Sequence, residues 1–177
     1  MKKNKFKPNE ELLDFAKDFS SNYKKLKAGK YSSVDGKYHL WYMDRIKDKD
    51  TGRIVDTVAR VSAITGVVEF DRKWFLAQKN VTSNFVFYLI IWHDVMKWLH
   101  DIGNPSAIQA DAIANELYIS TGRSKKEIVV GWLEVFSHAN THLNKTRYAK
   151  THKTLLNAQA AEMKKLLKSK KGNIIQS

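Results

Sequence analysis

The stretch Asn84-Phe-Val-Phe-Tyr-Leu-Ile-Ile-Trp-His93-Asp-Val-Met-Lys-Trp-Leu99 constrains the fold more than any other part of the chain. Phe85 to Trp92 is a run of 8 apolar residues, and only after it does a polar face open at His93, Asp94, Lys97 and His100. A helix that is apolar on every side has to be wrapped by other elements, so this one is expected to run through the centre of a domain. Thr82, Ser83 or Asn84 is its candidate cap, and Gly103-Asn104-Pro105 stops it. The run is far below the roughly 20 residues that a membrane span needs.

The remaining chain supplies the wrapping. From Pro8 to about Lys27, Leu12, Leu13, Phe15, Ala16, Phe19, Tyr23 and Leu26 recur at helical spacing, with Asn9 as cap and acids in the first turn. Lys37 to Met43 is aromatic and extended in character. Turn residues Asp48 to Gly52 separate it from an alternating segment, Arg53 to Val61, which predicts a hairpin. Gly66 to Asp71 is a third strand. Ser106 caps an Ala-rich helix reaching about Tyr118, and Ser124-Lys-Lys-Glu127 has capping-box spacing ahead of Ile128, Trp132, Leu133, Val135 and Phe136. A last helix covers Lys153 to Lys171. The expected class is α+β: a small antiparallel sheet packed on a buried central helix and further helices, with helical basic extensions at both ends.

Length and composition narrow the possibilities. The 177 residues suit one domain of ordinary size, and 43% apolar residues exclude a disordered chain. With no Cys, disulfides, thiolate zinc sites and cysteine catalysis are excluded, leaving His and carboxylates as the strong metal ligands. The start Met-Lys-Lys-Asn-Lys-Phe-Lys has no apolar run behind it, so no secretory signal is expected. The net charge of +13 is unevenly placed: residues 1–30 hold 9 Lys against 4 acids, residues 144–177 hold 9 basic residues against Glu162, and residues 31–143 balance 13 against 13. The expected organisation is therefore a basic N-terminal helical arm (1–30), a neutral core (31–143) and a basic C-terminal helical arm (144–177). A chain that grips nucleic acid with its folded face concentrates Lys and Arg on that face. This one does not.

The motif that bears on chemistry spans Gly66 to Phe136, where Gly-Val-Val-Glu-Phe-Asp-Arg-Lys-Trp-Phe, then Trp-His93-Asp94-Val-Met-Lys97, then Ala110-Asp111-Ala-Ile-Ala114 follow in order. In layout and spacing this resembles the zincin-type zinc peptidases. There, two His one turn apart on a buried helix reach one Zn²⁺, a Glu beside the first serves as general base, and a second helix supplies a third ligand. Placed on that pattern, His93 holds the first ligand position and Asp94 stands where the longer Glu is needed. Lys97 occupies the second ligand position, and Ala107, four before Asp111, the third. The resemblance thus implies a degenerate site with no metal, no cofactor and no peptidase activity: His93, Asp94, Lys97 and Asp111 are its vestige. Asp111 is expected to cap or pair inside the fold with His93 or Lys97, and an ion pair of Lys97 with Asp94 or Asp111 would stand in place of the metal.

Other chemistry is weaker. His100 follows His93 by seven residues, about 10.5 Å along a helix, too far for both to hold one ion. His138 and His142 have i, i+4 ligand spacing if helical, but no neighbouring Glu and no third ligand in sequence. Neither a Gly-x-Ser-x-Gly motif nor a phosphate-cradling loop is present.

Both ends carry helical apolar stripes as well as charge. The C-terminal stripe, Leu156, Ala160, Met163 and Leu167 beside Lys164 and Lys168, is narrow and fits a groove on another molecule. A Cys-free, Lys-rich chain with a degenerate zincin-like core resembles the zincin-like proteins coded among structural genes of crAss-like tailed phages. That resemblance implies a virion protein assembled in the host cytoplasm: a homo-oligomeric ring of the neck or tail barrel, beside portal or other ring proteins. Non-specific contact with passing DNA and no membrane association complete the expectation. The alternatives are a zinc peptidase with rearranged ligands and a basic DNA-binding accessory protein.

Overall fold

The computed structural model describes residues 5–55, 57–61, 67–138 and 142–175. In chain order the elements are α1 (Glu10–Asn22), β1 (Gly29–Ser32), β2 (His39–Met43), β3 (Ala59–Val61), β4 (Val68–Asp71), α2 (Arg72–Ala77), α3 (Ser83–Asp101), α4 (Ala107–Ser120), α5 (Lys125–His138) and α6 (His142–Ile175). The class is α+β, as expected. Helix α3 is the buried centre: every residue from Phe85 to Ile91 is buried, and Val95 and Leu99 continue the apolar face. Helix α1 packs on it from one side and α4 and α5 from the other, while α6 lies against α4 and α5.

Local chemistry sets the helix starts. The Asn9 side chain accepts from the Leu12 amide at 2.9 Å, and Ser106 accepts from Gln109 at 3.2 Å, each satisfying an amide that the first turn leaves free. Thr82 stands at the N-cap of α3 without a side-chain cap bond. Glu127 of the expected capping box takes a hydrogen bond from Asn84 Nδ2 at 2.7 Å, so it joins α5 to α3.

The sheet differs from the three-stranded antiparallel expectation. It has four strands in the order β1-β2-β4-β3, and its central pair, β2 with β4, is parallel. The hairpin predicted across Asp48 to Gly52 survives only as an antiparallel bridge between Lys47 and Ile54; beyond it the two limbs part, and β4 inserts between β2 and β3. A side-chain clamp accounts for this. The buried Asp71 carboxylate, at the end of β4, accepts from Arg45 Nε at 2.9 Å and from the Ile46 amide at 3.4 Å, and Arg72 meets Asp44 at 3.1 Å. The chain leaving β2 is thereby tied to the end of β4, and the long segment 44–67 makes the crossover that parallel strands require. Of the predicted third strand, Gly66 lies outside the described residues.

Leu40, Tyr42 and Phe70 form the inner face of the sheet and meet Phe19 of α1, whose ring lies edge-on to Tyr42 at 5.1 Å and Phe70 at 6.3 Å. The segment expected as an N-terminal arm thus places Leu12, Ala16, Phe19 and Tyr23 in the core. At the other end, the boundary expected at residue 144 falls inside α6, whose Arg147, Thr151 and Leu155 are buried.

Helix α5 reaches α3 through Gly131. A Cβ at that position would lie 2.3 Å from ring carbons of the fully buried Phe85, a contact that only movement of the two helices relieves. Alanine gains about 1 kcal/mol of helix propensity over glycine, whereas overpacking a rigid core costs about 1–3 kcal/mol or more, and here packing dominates. Gly131→Ala is expected to destabilise the fold by about 2 kcal/mol, read as a lower urea midpoint at unchanged slope.

Candidate functional site

The polar face of α3, the middle of α4 and the first turns of α6 converge on Asp111, which is 6% exposed. Three N–H groups reach its carboxylate. Arg147 Nε donates to Oδ2 and an Arg147 Nη2 hydrogen to Oδ1, both at 2.8 Å, and Trp92 Nε1 donates to Oδ1 at 2.8 Å. This is the planar two-pronged geometry that suits guanidinium and not ammonium. The guanidinium carbon also lies 5.3 Å from the ring centre of Trp92, 5.1 Å from that of Trp132 and 4.9 Å from that of Phe136, with the last two rings stacked at 4.7 Å. A buried cation is thus matched by a carboxylate in its plane and by ring faces around it.

The expectation that Asp111 pairs with His93 or Lys97 is therefore corrected: an interior ion pair is present, and its cation is Arg147. Among the described residues no ion pair joins Lys97 to Asp94 or Asp111. The reason is placement. Lys97 and Asp94 line an open groove toward the first residues of the chain, with Tyr38, Phe6 and Trp98, where the ammonium stays in water.

His93 is 4% exposed, and its Nδ1 donates to the Leu89 carbonyl, one turn back, at 2.6 Å. That bond fixes the proton on Nδ1 and leaves Nε2 as the acceptor. The ring packs edge-on to Phe70 at 5.5 Å and Trp92 at 4.8 Å, and it shares a cavity of about 190 Å³ with Trp132, Phe136 and Arg147. Burial pushes its pKa down from 6.5 to about 4; the bond to Leu89 opposes the fall and the Arg147 charge adds to it. Asp94 shifts the other way, up to about 6, because desolvation outweighs the attraction of Lys97 while Asp101 adds repulsion.

As a metal site the arrangement is poor. His93 is a single imidazole beside a fixed guanidinium, whose charge opposes any cation at Nε2. Among the described residues no three His, Cys, Asp or Glu side chains are grouped to hold an ion. His100 is exposed on the same helix, and Ala107 opens α4 with no ligand atom. His138 ends α5 and His142 begins α6, so the pair does not stand on one described helix, and residues 139–141 between them lie outside the described residues.

The second half of α6 is a different surface. Thr151 takes a long contact of 3.5 Å from Asn115, which in turn accepts from Tyr88 at 2.6 Å, and Leu155 is the last buried side chain of the helix among the described residues. From Gln159 to Lys168 every side chain is exposed, although Glu162 still pairs with Lys125 at the start of α5. Leu156, Met163, Leu166 and Leu167 are 47%, 57%, 62% and 57% exposed. The expected docking residues Leu156, Met163, Leu167, Lys164 and Lys168 all follow Leu155 and are exposed.

Arg147 is the residue that sequence reasoning missed. It is the sole arginine among eight lysines in 144–177, and that contrast was the available signal. Compared with protein-family models, with curated proteins and with solved structures, the chain finds no match.

Arg147→Ala leaves Asp111 buried beside Trp92 alone and is expected to cost about 3–5 kcal/mol, whereas Arg147→Met with Asp111→Leu costs far less, because no charge is then stranded. Paired urea melts check both. Above pH 6.5 the neutral imidazole suits folded and unfolded chains alike; as pH falls toward 4 only the unfolded chain takes up the proton, so the contribution of His93 is lost. Asp94 opposes this, since its cost above pH 6 disappears on acidification. His93→Leu should therefore flatten the acid loss by up to about 1.4 kcal/mol per pH unit, and Asp94→Asn should raise the urea midpoint more at pH 8 than at pH 4.5.

Proposed function

We propose that the chain is a non-enzymatic structural subunit that joins an assembly through the projecting half of α6. The observation that carries this reading is the helix itself. It runs on to Ile175 beyond Leu155, its last buried side chain among the described residues, with Leu156, Met163, Leu166 and Leu167 facing water. An isolated helical stretch of that length is marginal in water, and its apolar residues gain only when covered. Arg147 and Asp111 hold the base of the helix rigidly, the arrangement that suits a docking element. Of the three ligand positions of the resembled layout, His93 is buried beside the fixed guanidinium of Arg147, Lys97 is a cation and Ala107 has no ligand atom, which favours a structural role over the zinc peptidase reading.

The setting that the sequence resemblance implies is a ring of the neck or tail barrel of a tailed phage, near the portal. The Lys-rich ends suit screened, sequence-independent contact with DNA passing through such a ring. None of the described helices is long and apolar enough to cross a membrane.

Native mass of the full chain, alone and after Met163→Glu with Leu167→Glu, tests the reading. The parent chain is expected to form an oligomer and the variant a folded monomer, because both side chains are exposed within one chain. A monomeric parent carrying stoichiometric zinc and cleaving peptides overturns it.

A further inference from the structure

The projecting half of α6 has charge as well as apolar surface, and the same molecule carries its complement. Met163 and Leu167 lie one turn apart, with Lys164 and Lys168 alongside them on the next strip of the helix. None of Lys164, Lys165 and Lys168 makes an ion pair among the described residues. Within a chain of net charge +13, residues 9–22 are acidic: Glu10, Glu11, Asp14 and Asp18 stand against Lys17 alone. On α1 the residues Glu11, Asp14 and Asp18 share one face by i, i+3, i+7 spacing, Asp14 and Asp18 are exposed, and none of the three makes an ion pair among the described residues. Half-buried Phe15 lies beside that acidic band, and behind it opens a cleft lined by Leu12, Phe15, Tyr38 and Leu40. The exposed half of α6 therefore presents an apolar strip bordered by lysines that make no ion pair among the described residues, and α1 presents carboxylates that make none beside the half-buried Phe15, with opposite signs.

Resting on the assembly reading above, we infer that the occupant of the α6 stripe is a second copy of this chain, which receives it along the acidic face of α1. Helix α1 packs on α3, whereas α6 packs on α4 and α5, so donor and acceptor are carried by different sides of the domain. The contact is heterologous: each chain gives one α6 and receives another, and the series closes into a ring if its rotation permits. Exposed charges set the register and the rate of encounter, while Met163, Leu167 and Phe15 supply the apolar contact. Association is accordingly weakened by salt beyond the Debye regime of about 0.15 M.

The test is sedimentation of full-length chains at about 0.01 M and at 0.5 M salt, between which the Debye length falls from about 30 Å to below about 8 Å. Lys164→Glu with Lys168→Glu, and separately Asp14→Lys with Asp18→Lys, should each weaken self-association at least about tenfold. Asp14→Asn with Asp18→Asn should weaken it less, keeping α1 free of reversed charge. Mixing the two reversed chains should restore assembly with the two alternating, because the reversed α6 meets the reversed α1, the unchanged α6 meets the unchanged α1, and each chain repels only its own kind. A carbodiimide should then link lysines of α6 to carboxylates of α1 in the parent oligomer. A parent oligomer indifferent to both reversals overturns the acceptor while leaving the assembly reading intact, as does cross-linking of α6 to α6. A parent that stays monomeric, with or without Met163→Glu and Leu167→Glu, overturns both.

Discussion

The bidentate pair between Arg147 and Asp111 is the interaction on which the arrangement of the helices depends. It joins α4 to α6 directly, engages α3 through Trp92 and α5 through the rings of Trp132 and Phe136. Four helices thus share one guanidinium. Apolar packing alone permits neighbouring helices to slide by a turn, since ridges and grooves repeat. A planar fork that must meet one carboxylate and lie among three ring faces favours one register. The cost is desolvation of two charges, so the pair adds more to the uniqueness of the packing than to its net stability.

That pair also decides what the polar face of α3 can do. His93 is held neutral by burial, its Nδ1 is committed to Leu89, and a fixed positive charge shares its cavity. These are conditions for a silent imidazole. Asp94, one residue on, faces the opposite groove with Lys97, so the helical turn that separates adjacent side chains also separates these two titrating groups into unrelated surroundings.

The features legible in the sequence are those with local causes. Asn9 and Ser106 start helices because a side-chain oxygen three residues away is enough, and Phe85 to Trp92 must be interior whatever surrounds it. What was not legible depends on partners distant in the chain. The parallel pairing of β2 with β4 follows from Asp71 reaching back to Arg45 and Ile46, and turn chemistry at Asp48 to Gly52 reports only on its own bridge. Charge averaged over 144–177 places Arg147 with the lysines of a solvated arm, although guanidinium and ammonium differ in the geometry they can satisfy. Likewise, an excess of lysine over residues 1–30 conceals that the helix inside that segment is acidic outside and core-forming inside.

Helix α6 has 34 residues and is about 51 Å long at about 1.5 Å per residue. Its last ion pair to the domain among the described residues is that of Glu162 with Lys125, and the 13 residues from Met163 to Ile175 continue for about 20 Å. An arm of this kind is a lever. A tilt of about 10° at the Glu162 end carries the far end through about 3 Å, roughly the rise of two helical residues. A small adjustment at that end is thereby enlarged at the other.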